Sequence, residues 1–179
     1  MASSAAREER TVRVWDPLVR LFHWGLVAAI AAAWVTADEW ERAHEIVGYG
    51  VVGLVAFRLV WGVIGTRHAR FTDFVRSPRE VIGYLEDAAA HRAPRYLGHN
   101  PAGGAMIIAL LVMLVVVGAT GHMLTTTTFW EVEWVEELHE AAAYAMLVLV
   151  GLHVLGVIIA SLEHGENLVR SMITGRKRV

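Results

Sequence analysis

The chain has no cysteine. That absence excludes disulfides, thiolate-held iron–sulfur clusters and covalently attached c-type haem, so any redox centre must hang on histidine. Charge is also scarce: 19% of the 179 residues are Asp, Glu, Lys or Arg, and the formal net charge is −2. So small a net charge gives no basis for a nucleic-acid partner. No internal repeat or low-complexity tract interrupts the chain. What is abundant is apolar: 55% hydrophobic residues and a positive mean hydropathy mark a membrane protein.

Four stretches are long and apolar enough to cross a bilayer as helices, at about 18–37, 44–65, 102–124 and 138–162. Asp16-Pro17 supplies an N-cap and a helix-opening proline for the first, and Asn100-Pro101 repeats the device for the third. The first run also invites an alternative, a cleaved signal peptide ending near Val35-Thr36-Ala37, although His23 and Trp24 are unusual inside one. A short polar link, 38–43, makes spans one and two antiparallel neighbours. The long connection, 66–98, contains Ser77-Pro78-Arg79-Glu80, a capping box that predicts a surface helix from Pro78 to about Ala90, with Val81, Ile82 and Leu85 toward headgroups.

Of the sixteen Lys and Arg residues, four precede or open span one, six lie in the long connection and four follow span four, within 163–179. Arg42 alone is on the other side, and Arg58 is inside span two. The positive-inside rule therefore puts both termini and the long loop in the cytoplasm. Tryptophans at 15, 24 and 61, and at 34, 40, 130 and 134, fall into two belts. The resulting division is a flexible arm at 1–13, a four-helix membrane domain at 14–170 and a basic cytoplasmic tail at 171–179.

Histidine carries the chemistry. His139 and His153 lie fourteen residues apart in span four, which is roughly 21 Å of rise and almost four whole turns, so both rings leave one face of the helix. His23 in span one matches the depth of His153, and His44 at the start of span two matches His139. An intramembrane imidazole is costly without a partner and marks a functional site by default. Two pairs at two depths, sharing one helix, suit two haem irons about 20 Å apart, each with both axial positions filled by imidazole. Gly48, Gly118, Gly121 and Gly151 are placed to make room for flat porphyrins, and helix packing explains them equally well.

Arg58, fourteen residues after His44, shares its face and calls for an anionic partner such as a haem propionate; the alternative is snorkelling to the cytoplasmic interface. His99 and His164 flank the inner ends of spans three and four, where they would contact propionates or a quinone headgroup, or simply contribute interfacial polarity. His68 and His91 read as solvated loop residues. His122 reads as interfacial. Two readings of another class remain open: a histidine-relay proton or metal transporter, and a haem-free membrane anchor.

These residues sit in blocks with a family likeness. V-W-D-P-L-V-R-L-F-H-W around His23, H-E-I-V-G from His44, R-L-V-W-G-V-I-G from Arg58, A-R-F-T-D-F, G-H-N-P-A-G-G, L-H-E, L-H-V-L-G and H-G-E-N-L-V-R-S-M-I-T-G-R-K-R follow one another in order. The chain resembles the bacterial cytochrome b561-type family, which includes the b-type membrane subunits of nickel–iron hydrogenases. The resemblance implies an all-α transmembrane four-helix bundle in the bacterial inner membrane. It implies two non-covalent haems b, ligated by His23 with His153 and by His44 with His139. It further implies electron transfer between quinone and another redox protein, such as a hydrogenase. Separately, the connection at 125–137, acidic through Glu131, Glu133, Glu136 and Glu137, suits a basic surface such as that of a c-type cytochrome, and a homodimer is left open.

Overall fold

The computed structural model describes residues 10–179. Its elements follow the caps. Asp16 Oδ1 accepts from the amides of Leu18 and Val19 at 2.9 and 3.0 Å and starts α1, Pro17–Thr36. The same carboxylate's other oxygen accepts from Thr66 Oγ1 at 2.6 Å and Trp61 Nε1 at 3.3 Å. One side chain thus caps α1 and ties it to the end of α2, Glu41–Ile64. After a 3₁₀ turn at Arg67–Ala69 come a single turn α3, Phe71–Phe74, and the surface helix α4, Pro78–Ala89. The Ser77/Glu80 capping box is formed as the sequence predicts, and Ile82 and Leu85 are exposed. Asn100 caps α5, Pro101–Leu124, through the Gly103 amide at 2.7 Å.

The long helix α6 covers Glu133–Glu163, beginning five residues before the expected Leu138. The glutamates that made its first turn look like loop are favourable there, because carboxylates stabilise a helix N-terminus. His139 consequently sits in the second turn, held by regular backbone instead of fraying at an end. The chain closes with α7, Leu168–Thr174.

Four of these helices, α1, α2, α5 and α6, are long and apolar enough to cross a membrane. Their order of packing is α1 on α2, α2 on α5 and α5 on α6; α6 makes no comparably close backbone approach to α1 or α2. Val51, Val55, Leu111, Leu114 and Met146 form the buried core where α2, α5 and α6 meet. Most other apolar side chains on these helices face outward, as lipid-facing surface must.

At the end carrying both termini the structure departs from expectation. Where composition predicts a flexible arm at 1–13 and a plain basic tail at 171–179, Thr11–Arg13 forms β1 and Arg176–Arg178 forms β2, paired antiparallel with Val12 opposite Lys177. The remainder of the arm, 1–9, lies outside the described residues. Gly175 makes the turn from α7 into β2 with φ +78°, and its carbonyl accepts from the amides of Val14 and Trp15. A β-carbon at Gly175 would lie 2.6 Å from the Trp15 carbonyl, so glycine is required twice over. Lys177 is buried, donating to the Tyr96 carbonyl at 3.0 Å and facing Glu166 at 3.4 Å, while Arg95 reaches Glu166 at 2.8 Å. Three separated segments are joined by this ion network. No pattern in the linear chain announces it, because Arg95, Glu166 and Lys177 come from three separate segments, two loops and β2.

Candidate haem sites

The structure brings His23 to His153 and His44 to His139, with ring centroids 6.4 and 6.3 Å apart. Two imidazoles bound to one metal from opposite sides, each through a nitrogen about 2 Å from the metal and about 1.15 Å from its own ring centroid, have centroids about 6.3 Å apart. Both pairs meet that separation. Each pair bridges the gap that packing leaves open: His23 and His44 come from the α1–α2 pair, while His139 and His153 both come from α6.

The His44–His139 pair has its second ring nitrogens anchored. His44 Nδ1 lies 2.8 Å from the Ala33 carbonyl on α1. His139 Nδ1 lies 3.1 Å from the Val117 carbonyl and 3.0 Å from Thr120 Oγ1 on α5. A carbonyl can only accept, so Nδ1 carries the proton in both rings and Nε2 keeps its lone pair free for a metal. Thr120 is itself committed, its hydroxyl lying 2.8 Å from the Val116 carbonyl, so it donates there and accepts from His139. The His23–His153 pair differs. His23 meets Trp24 edge-on at 5.0 Å, and its Nδ1 is buried without an acceptor.

The glycines divide between two roles. Gly48, one turn after His44, has open space over its α-carbon, as does Gly151. Gly121 is pressed by the His139 ring, where a β-carbon would lie 3.0 Å from Cε1, and a β-carbon at Gly118 would lie 2.8 Å from Val52. Room for a planar group is thus consistent with Gly48, whereas Gly121 seats the His139 ring and Gly118 packs helices.

Arg58 neither reaches water nor touches either imidazole pair. It is 3% exposed; one guanidinium nitrogen donates to the Ala69 carbonyl at 3.0 Å and the group lies over Phe71 at 5.0 Å and Phe74 at 5.9 Å. Its Nη1 is buried without a partner. The segment covering it is locked by glycines, since a β-carbon at Gly62 would overlap the Phe71 ring and one at Gly104 would lie 2.5 Å from the Phe74 carbonyl. His99 stands beside this cluster, 4.5 Å from Trp15 and 4.8 Å from Phe74, with Nδ1 also buried and unpartnered. Burial first, then the neighbouring cations Arg58 and Lys177, push its imidazole down to about 3, so the ring is neutral. His164 is the C-cap of α6: its backbone amide donates to the Ala160 carbonyl at 3.2 Å, and its ring makes no hydrogen bond or ring contact within the described residues. His91 is exposed, as expected, but His68 is half-buried and bonded to Asp73 at 3.0 Å, held there by the turn preceding α3. His122 bonds Tyr49 at 2.9 Å near the outer end of α5.

Thr120 and the carbonyls of Ala33 and Val117 are the functional groups that sequence reading missed. Only the threonine carried a signal, a lone hydroxyl in the apolar run V-V-V-G-A-T-G-H.

No cluster of three or more His, Cys, Asp or Glu suited to a metal ion exists among the described residues. Imidazoles meeting strictly in twos suit a group that brings its own equatorial donors, as a porphyrin does. Four apolar helices with facing imidazole pairs define a class, the integral membrane cytochromes that carry haem b. The sequence comparisons agree. The chain belongs to the prokaryotic cytochrome b561 family, whose sequence model matches residues 14–175. It is similar to the probable Ni/Fe-hydrogenase B-type cytochrome subunits of Azotobacter vinelandii and Rhodobacter capsulatus, at 24% identity each. Those alignments cover 94% and 96% of this chain and 89% and 83% of the relatives. The corresponding subunit of Azotobacter chroococcum mcd 1 is 23% identical. No solved structure matches. The chain is thus a membrane b-type cytochrome of electron transport.

Proposed function

We propose that the chain holds two haems b, one between His23 and His153 and one between His44 and His139, and relays electrons across the bacterial inner membrane between quinone and a redox partner protein. The observation that carries this reading is the pair of matching ring separations, 6.4 and 6.3 Å, at two levels of one shared helix. Haem b, held by these imidazole pairs, would supply one-electron exchange.

The chain's own residues have four tasks. The carbonyls of Ala33 and Val117 hold His44 and His139 in the tautomer that presents Nε2. Arg58 and His99 retain buried N–H capacity on the side of the termini, suited to a propionate, and His164 offers a further polar contact there. The Arg-rich loop and clasp keep that side cytoplasmic. The opposite face is acidic: nine Asp and Glu residues within 38–45 and 131–140 stand against Arg42 alone, all exposed. None of the nine forms a salt bridge within the described residues. A partner with a basic docking surface, a c-type cytochrome or a hydrogenase-like redox subunit, is steered to such a face.

Redox titration of the purified protein beside His139→Ala and His153→Ala tests the assignment. Wild type is expected to show two low-spin haems, and each variant to lose a different one. Identical spectra across all three reject the pairing.

A further inference from the structure

On the end of the molecule that carries both termini, a groove of about 560 Å³ opens between α1 and α7, lined by Pro17, Arg20, Leu21, Trp24 and Ile173. The first four are spaced i, i+3, i+4, i+7 and so form one face of α1. That face is apolar except for Arg20. Leu21 is 72% exposed, and Trp24 and Ile173 are also exposed, so the walls belong to the surface that meets lipid.

Arg20 is held across the groove, its Nη2 donating to the Ile173 carbonyl, which is its one side-chain hydrogen bond within the described residues. Its Nε is buried with no acceptor. No carboxylate lines the groove and none pairs with Arg20. An arginine fixed at the membrane interface, unneutralised and flanked by aliphatic walls and an indole, is complementary to a group that is anionic at one end and hydrocarbon at the other. The terminal clasp adds Arg13 and Arg176, paired in register at the same end, which reinforces the positive field.

We propose that this groove binds the phosphodiester of an anionic phospholipid, with Arg20 as its donor and Leu21, Trp24 and Ile173 against its glycerol and upper acyl chains. The lipid joins α1 to α7 and so steadies the clasp. Because Trp24 meets the His23 ring, the bound lipid also braces the wall behind that imidazole. The site depends on membrane residence alone and stands apart from the haem assignment.

The test uses the full-length protein stripped of lipid in neutral detergent, with helical content followed on heating. Phosphatidylglycerol, phosphatidylcholine, inorganic phosphate and decylubiquinone are added separately at one concentration. Phosphatidylglycerol is expected to raise the midpoint by several degrees, as selective binding to the folded state requires, and the other three are not. Arg20→Gln should lose most of that increment, while Arg79→Gln, on the exposed surface of α4, keeps it. An equal rise with phosphatidylcholine, with phosphate alone or with the quinone overturns the proposal, as does an undiminished rise in Arg20→Gln. If Arg20→Gln fails to fold, Ile173→Glu, which sets a carboxylate on an exposed rim position, replaces it. That variant is also expected to lose the increment, and retention refutes the site.

Discussion

Replacing Gly121 puts the seat of His139 under direct strain. A β-carbon there would lie 3.0 Å from Cε1 of the imidazole, against about 3.6 Å for a comfortable carbon–carbon contact. The ring must therefore retreat by roughly 0.6 Å, and a binding constellation tolerates only about 0.5 Å before it loosens. Retreat also lengthens the Nδ1 contacts to Thr120 and Val117, now 3.0 and 3.1 Å, which orient the ring. Loss of such orienting contacts weakens metal affinity by about 10- to 100-fold. Gly121→Ala is expected to fall near the lower end of that range for one haem, and Gly121→Val, with two further methyl groups, to lose that haem while the other stays. Gly156→Ala is the control: nothing lies within 4 Å of its β-carbon, so both haems should remain, with helix stability unchanged or improved by up to about 1 kcal/mol. Haem content per protein and the number of waves in a redox titration are the readouts. Two intact haems in Gly121→Val would refute the reasoning, since the ring would then not be seated as described.

Two more consequences follow from charge. Burial alone would raise the Glu166 carboxyl, but the Arg95 hydrogen bond and the Lys177 charge outweigh it and hold the group below its ordinary 4.5. The folded protein thus binds fewer protons than the unfolded chain in the carboxylate range. Stability from Glu166 is present above about pH 4.5 and is lost as pH falls through its lower folded value. Glu166→Ala, which leaves Lys177 buried without its carboxylate, is expected to cost about 2 kcal/mol at pH 7, less than a fully buried pair because Arg95 is partly exposed. In thermal melts the gap to wild type should close on acidification; a gap that widens would contradict the sign. At the other end of the molecule, electron exchange with a basic extracytoplasmic partner should slow steeply between low and physiological ionic strength. Charge-neutralising three of the exposed glutamates in 131–140 should flatten that dependence in stopped-flow measurements, and a salt-independent rate would remove the steering argument.

Much of this molecule is written locally. The caps at Asp16 and Asn100 and the capping box at Ser77 follow from side chains that satisfy nearby amides and form where the chain places them, whereas α6 starts five residues ahead of its apolar run. The face shared by His139 and His153 follows too, because helix pitch converts a spacing of fourteen into alignment. Tertiary structure decided what depends on residues distant in sequence. Arg58, read from the linear chain as facing a propionate or escaping to water, does not reach water: Phe71 and Phe74 enclose it, because Gly62 on α2 and Gly104 on α5 leave the gaps those residues fill. The termini are joined in a sheet because the Gly175 turn and the Lys177–Glu166–Arg95 network bring three separate segments together. His139 takes its tautomer from a carbonyl and a hydroxyl twenty-two and nineteen positions away on α5. A sequence states which groups need partners, since unsatisfied polarity is costly wherever water is excluded. The packing of four helices chooses which partners they receive.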